Sequence, residues 1–121
     1  TAAHAIFPIV QNGKALEKFD ANAVIQHKNP RTAIGFNDRY FYMVVVDGRQ
    51  KELSMGMKAK ELAEFMALLG CTEAANLDGG GSSTMVIEGN HGSPKILNSP
   101  IDHYIPGTER PVGTHFGIYV K

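Results

Sequence analysis

Ala74-Ala75-Asn76-Leu77-Asp78-Gly79-Gly80-Gly81-Ser82-Ser83-Thr84 is the stretch on which the reading of this chain turns. Ala74 to Leu77 is a short strand candidate that runs directly into three glycines. Successive glycines weaken any helix or strand, so regular structure must break here. A second apolar strand candidate, Met85 to Glu88, follows the hydroxyl residues. A glycine loop followed by strand rather than helix is not a dinucleotide-binding fingerprint. It is not a Walker A loop either, because no Lys occurs between Asp78 and Glu88. What remains is a loop opened by the Asp78 carboxylate, with Gly79, Gly80 and Gly81 allowing close approach of a ligand. Successive N–H groups in such a loop can form an anion-binding concavity. Ser82, Ser83 and Thr84 each add a hydroxyl able to donate to a phosphate or sugar oxygen. The competing reading is a linker or tight hairpin, but a bare linker rarely separates two strands.

Working outward, Tyr40 to Val46 is a continuous β-branched and aromatic run, which suits a strand covered on both faces. Arg31 to Phe36, just after Asn29-Pro30, is a further short strand candidate. His4 to Val10 reads as a strand, and Asn12-Gly13 is a strong hairpin signal after it. Lys58 to Leu69 is the one clear helix. Ala59, Leu62, Ala63, Met66 and Leu69 fall at helical spacing, Gly70 is a natural stop, and Met57 is a poor N-cap. Met85 to Glu88 and Pro94 to Leu97 suggest a hairpin around Gly89-Asn90-His91-Gly92. Pro111 to Lys121 alternates cleanly, with Val112, Thr114, Phe116, Ile118 and Val120 on one side. Many strands with one helix imply a single α+β domain dominated by sheet, spanning residues 1–121.

The 121 residues carry twelve basic and twelve acidic side chains. That balance offers no long-range field for nucleic acid or an anionic membrane. No apolar run approaches the ~20 residues of a membrane span, and Thr1-Ala2-Ala3-His4 lacks the basic and apolar regions of a signal peptide. A chain beginning at Thr rather than Met points to processing or to a missing upstream segment. The single Cys71 excludes an internal disulfide and reads as a buried structural thiol.

Asp47-Gly48-Arg49 is a second site candidate, since a carboxylate at the end of a buried strand is firmly held. A plain turn is equally compatible with Asp-Gly. Arg31 and Arg110 offer planar forks suited to phosphate, although either alone is an ordinary surface arginine. His4, His27, His91, His103 and His115 show no metal-ligand spacing and read as non-catalytic. No Gly-x-Ser-x-Gly elbow is present. No metal and no cofactor is expected.

Taken in order, several segments resemble the phosphodiester glycosidase family. They are Pro8 to Lys14, Asn29 to Gly35, Val44 to Gln50, Ser54 to Met57, Glu61 to Ala63, Asn76 to Met85 and Glu109 to Val112. The resemblance covers nearly the whole chain. It implies hydrolysis of the bond between a sugar anomeric carbon and a phosphodiester oxygen, on an N-acetylglucosamine-type, cell-envelope or exopolysaccharide substrate. It also implies a secreted or cell-envelope location. Two departures stand out. The family's upstream part, with an Asn-Gly-Gly-Phe-Phe-like motif lining the same pocket, has no counterpart here. The domain is therefore expected to be incomplete without an upstream half or a partner chain. Lys58 also stands where the family often has Thr or Ser.

On this reading Asp78 is the leading catalytic carboxylate and Asp47 the second. Arg31 and Arg110 hold phosphate, assisted by Gly79, Gly80, Gly81, Ser82, Ser83 and Thr84. The partner implied is a sugar-phosphate or glycan substrate. Two other classes remain open: a non-catalytic glycan or phosphoglycan-binding module, and an amidohydrolase using Thr1 as an N-terminal nucleophile.

Overall fold

The computed structural model describes residues 6–19, 26–113 and 115–120. Expectations that fall on Thr1, His4, Thr114 or Lys121 lie outside the described residues. Five strands form one antiparallel sheet. They are β1 (Phe7–Gln11), β2 (Lys14–Ala15), β3 (Arg31–Phe36), β4 (Phe41–Val46) and β5 (Glu73–Asn76), in the order β2-β1-β5-β3-β4. The only α-helix among the described residues is α1 (Ala59–Leu68). Two hairpins complete the fold: β6 (Val86–Glu88) with β7 (Pro94–Ile96), and β8 (Ile101–Asp102) with β9 (Ile105–Pro106). This is the sheet-dominated α+β domain with one main helix that the sequence implies.

Local chemistry sets most boundaries. Asn12 (φ 53°) and Gly13 (φ 76°) take the left-handed conformations of a two-residue hairpin turn, and β1 pairs with β2 around them. The helix starts one residue later than its periodicity suggests. Lys58 is the N-cap, and its N–H donates to Glu61 Oε1 at 2.9 Å. That carboxylate satisfies the N-cap N–H, while the Lys58 ammonium has no lone pair with which to cap in return, and the bond pulls the Glu61 pKa below its ordinary value. At the other end Gly70 (φ 101°) closes a Schellman motif, with Cys71 N–H on the Met66 carbonyl (3.2 Å) and Gly70 N–H on that of Ala67 (3.0 Å).

One face of the sheet packs on α1. Ile9, Val10 and Ala33 meet Ala59, Leu62, Ala63 and Met66 in a core from which water is excluded. Tyr42, Val44 and Val46 of β4 pack against it from the same side. Cys71 is buried, as its surroundings in sequence imply, and burial pushes its thiol pKa up. Leu69, expected on the buried stripe, is 37% exposed because it is the C-cap.

Two expectations are corrected. The Tyr40–Val46 run is not covered on both faces. Its strand β4 pairs only with β3 among the described residues, and Phe41 and Met43 are 45% and 42% exposed. A continuous apolar run reports that both faces are greasy, not that both are filled. The alternation of Pro111 to Lys121 does not form a strand in the described residues, because nothing pairs with it. The segment instead lies near β4, where Phe116 stacks on Phe41 at 5.8 Å. Among the described residues the sheet thus ends at β2 and β4, and an open apolar edge is a pairing site. No helix among the described residues is long and apolar enough to cross a membrane.

This layering separates two leucines of the same helix. Leu62 is fully buried and Leu68 is 85% exposed. Leu62→Ala is expected to cost about 2–5 kcal/mol of unfolding free energy. Leu68→Ala should stay within about 0.5 kcal/mol. Urea unfolding of the two variants checks the assignment of the buried face.

Candidate functional site

The glycine run follows β5 and folds into a short 3₁₀ turn, Gly80–Ser82. It is docked on the start of β3. Gly80 N–H donates to the Pro30 carbonyl at 2.9 Å, and Leu77 N–H to that of Thr32 at 2.8 Å. Gly79 has no room for a side chain, since a Cβ there would lie 2.7 Å from the Pro30 oxygen. Gly80 (φ 59°) needs the left-handed region. The guanidinium of Arg110 covers Gly81, where a Cβ would meet its Cζ at 2.6 Å. Part of the loop's donor capacity is spent inside the protein. Ser82 N–H bonds the Gly79 carbonyl and Ser83 N–H that of Gly80, both at 3.1 Å.

Asp78, Ser82, Thr84 and Arg110 line a cleft of about 940 Å³. Its other walls are mostly apolar, with Ile34, Met43 and Phe116, and also carry Thr32, Glu109 and His115. The cleft lies on the side of β3 and β4 opposite α1. Register explains the split: Thr32 pairs with Val45 and Ile34 with Met43, and all four line the cleft. The intervening Ala33 and Val44 touch the cleft as well, but both pack in the core under α1. A polar rim of carboxylate, hydroxyls and guanidinium above an apolar wall is the usual make-up of a small-molecule site.

The remaining sequence-derived candidates lie around the loop. Ser83 is buried, and Thr32 Oγ1 donates to its Oγ at 3.2 Å, so it props the loop from behind. Arg31 is 5% exposed and sits one layer back from the cleft. Its Nε donates to the Met57 carbonyl (2.8 Å) and its Nη2 to that of His27 (2.9 Å). Its pKa is lowered, first by burial and then by the nearby charge of Arg49. Asp47 does not line the cleft. Its Oδ1 accepts from Asn98 Nδ2 (3.0 Å) and Ser99 N–H (2.9 Å). Thr1 lies outside the described residues.

Two residues in the site were not singled out by the sequence, and a third was given no role of its own. Asn98 is a hub: besides Asp47, its Nδ2 reaches the Ser83 carbonyl (2.9 Å) and its Oδ1 accepts from Met85 N–H (2.8 Å). In sequence it is one polar residue of Asn98-Ser99-Pro100, an ordinary turn composition. Asp102 is buried and accepts from Arg110 Nε at 2.9 Å, which holds the guanidinium over Gly81. That bond keeps the Asp102 carboxyl below the usual range. Arg49 stands in the Asp47-Gly48-Arg49 candidate without a role of its own, and its Nη2 would lie 3.2 Å from a Cβ on Gly80. Among the described residues no cluster of His, Cys, Asp and Glu is able to hold a metal ion.

Comparisons with known proteins identify the family. Residues 1–119 match the family described as phosphodiester glycosidase. The chain is 36% identical over 84 residues to N-acetylglucosamine-1-phosphodiester alpha-N-acetylglucosaminidase of Bos taurus, covering 68% of this chain and 14% of that protein. It is 37% identical over 73 residues to the protein of the same name from Homo sapiens, covering 60% and 13%. It is 40% identical over 86 residues to SPbeta prophage-derived uncharacterized protein YomE of Bacillus subtilis (strain 168), covering 70% and 12%. The chain thus spans 12–14% of the length of these relatives. On the match across residues 1–119, together with a glycine loop and carboxylate at the rim of one cleft, this chain belongs to the phosphodiester glycosidase family.

Proposed function

We propose that this domain hydrolyses a sugar-1-phosphodiester, cleaving the bond between the anomeric carbon and the phosphate oxygen. The observation that carries the reading is the convergence of Asp78, Ser82, Thr84 and Arg110 on one cleft. The names of the relatives, which act on an N-acetylglucosamine-1-phosphodiester, support a sugar of that type. A cell-envelope or exopolysaccharide glycan is the proposed source of the substrate, with the protein acting outside the cell or at its envelope.

The chemistry suits these groups. As the C–O bond breaks, its electron pair leaves with the phosphate monoester, already a good leaving group that needs little protonation. Positive charge develops at the anomeric carbon in an oxocarbenium-like transition state. Water supplies the new oxygen there and loses one proton. Asp78 is proposed to stabilise that centre or to act on the water, with Asp47 as the second carboxylate, held by Asn98 and Ser99. Arg110 and the hydroxyls of Ser82 and Thr84 hold the phosphate at the cleft. Buried Arg31 contributes its charge from behind the loop, and Gly79 to Gly81 let the backbone come close.

The domain is proposed to be completed by an upstream half or a partner chain. Support comes from the sheet face opposite α1, which is apolar and only partly covered. Met43, Val86 and Phe116 are each at least 40% exposed around the cleft. Such a patch is costly to leave in water.

Steady-state kinetics on the protein with its completing segment or partner test this. An N-acetylglucosamine-1-phosphodiester should be hydrolysed, and simple α-glycosides lacking phosphate should be poor substrates. Equal cleavage of both would remove the phosphate-holding roles. Asp78→Asn should lower kcat by about 10²–10³-fold with little change in KM, because its charge acts mainly in the transition state. Wild-type kcat in that variant would pass the role to Asp47. Retained sugar-phosphate binding without any turnover would favour a binding module.

A further inference from the structure

The cleft brings two carboxylates and one guanidinium together. Asp78, Glu109 and Arg110 all line it, and among the described residues no other Asp, Glu, Lys or Arg does. Asp78 and Arg110 have parts in the proposed reaction; Glu109 has none. It is exposed, and among the described residues its carboxylate makes no hydrogen bond and no ion pair. Its negative charge at the cleft is therefore not offset by a protein partner.

The neighbouring Arg110 is built differently. Its Nε donates to Asp102 Oδ1 at 2.9 Å, which orients the guanidinium and offsets its charge. Its Nη1 and Nη2 make no further bond among the described residues. The fork that can meet a phosphate is thus available, but a carboxylate backs it. One guanidinium against two carboxylates leaves the cleft lining with an excess of one negative charge, and Asp102 stands directly behind Arg110. Arg31 and Arg49 add positive charge from beside the glycine loop without lining the cleft. Coulomb interactions fall with distance and with intervening water, so the lining groups weigh most on an occupant.

Phosphate chemistry makes this excess selective. A phosphodiester carries one negative charge, whereas a phosphomonoester carries nearly two at neutral pH. Both offer the oxygen pair that an arginine fork can hold. An unpaired carboxylate repels a doubly charged ligand twice as strongly as a singly charged one, because Coulomb energy scales with charge.

We propose that Glu109 is the residue that selects a singly charged phosphodiester over a doubly charged phosphomonoester. The proposal rests on the phosphodiester reading of this cleft. The same repulsion acts on the product. Diester and water become a neutral sugar, a proton and a phosphomonoester, and the bond pair leaves with the phosphate oxygen. Total charge is unchanged until the fragments part; Glu109 then faces a doubly charged phosphomonoester and favours its release.

Dimethyl phosphate and monomethyl phosphate are suitable probes, since neither has an anomeric carbon to be cleaved. Their affinities for the protein with its completing segment or partner are read by NMR titration at about pH 8, where monoesters are doubly charged. Glu109→Gln should strengthen monomethyl phosphate binding about tenfold and dimethyl phosphate binding about threefold, since repulsion on one charge is half that on two. Glu109→Ala should match it, which separates lost charge from the new amide. Glu109→Asp should keep the wild-type ratio. Glu64→Gln, which removes the same charge from an exposed position of α1, should change neither affinity. The gain in Glu109→Gln should shrink as salt is raised to about 0.5 M. An unchanged ratio in both Glu109→Gln and Glu109→Ala overturns the proposal. So does an equal shift in both probes, the same shift in Glu64→Gln, or a wild-type protein that binds neither probe. Turnover of a sugar-1-phosphodiester, measured separately, keeps the two readings apart. Turnover with no shift in Glu109→Gln sinks the charge selection alone. The shift without turnover sinks the hydrolysis reading and leaves the charge selection standing.

Discussion

The crowding around Asn29-Pro30 is the constraint on which the rest of the site depends. Three glycines from separate segments back onto these two residues. A Cβ on Gly48 would lie 2.5 Å from the Pro30 nitrogen, one on Gly79 would lie 2.7 Å from the Pro30 oxygen, and one on Gly56 would collide with the Asn29 carbonyl. Each close approach permits a hydrogen bond or a turn that would otherwise be out of reach. Asn29 and Met57 exchange N–H···O bonds at 3.0 and 3.2 Å, and Gly80 N–H reaches Pro30. The helix entry, the turn after β4 and the glycine loop are all registered against one dipeptide. A side chain at any of the three glycines would shift one partner away from the others, because the Asn29 and Pro30 atoms it would meet are not free to yield.

Charge is organised on that frame. A chain with equal numbers of acidic and basic side chains still gathers Arg31, Arg49 and Arg110 around one loop. Each is handled differently: Arg31 by carbonyls, Arg110 by a buried carboxylate, Arg49 by an aromatic face. Asp102 both steers and neutralises the Arg110 guanidinium, whereas the Tyr104 ring steers that of Arg49 without neutralising it. Asp47 stands apart, tying β4 to Asn98-Ser99 and through Asn98 to the Ser83 carbonyl. Its carboxylate therefore fixes the far end of the loop whatever further part it takes in chemistry.

The two faces of the sheet are unequal. The face under α1 is closed by small and aliphatic side chains down to zero exposure. The other carries the cleft and is roofed by residues 109–113 and 115–117, which have no hydrogen-bonded strand partners among the described residues. A face that is apolar, partly covered and adjacent to a polar loop serves two purposes at once. It supplies the low-dielectric wall against which electrostatic contacts gain strength, and it offers the apolar surface on which the proposed completion of the domain would pack.

Local signals carried the element types. Asn12-Gly13, Gly70 and the Arg31–Phe36 run announced their structures because turn chemistry and periodicity act over a few residues. The glycine loop and its family context were legible for the same reason, since a run of three glycines followed by hydroxyls is a local feature. Partnership was not legible. The run at β4 looked like an interior strand and the alternation near Phe116 like a paired one, because pattern records what a strand is able to bury and not whether a neighbour exists. The roles of Asn98, Asp102 and Arg49 came only with the tertiary structure. Asp47 and Asn98 are 51 residues apart; the Arg49 guanidinium meets Gly80 through a backbone twist at a turn. Sequence by itself determined the elements and the chemistry of the loop. Folding decided which charges face it, because hydrogen bonds between distant segments depend on chain paths that no local window contains.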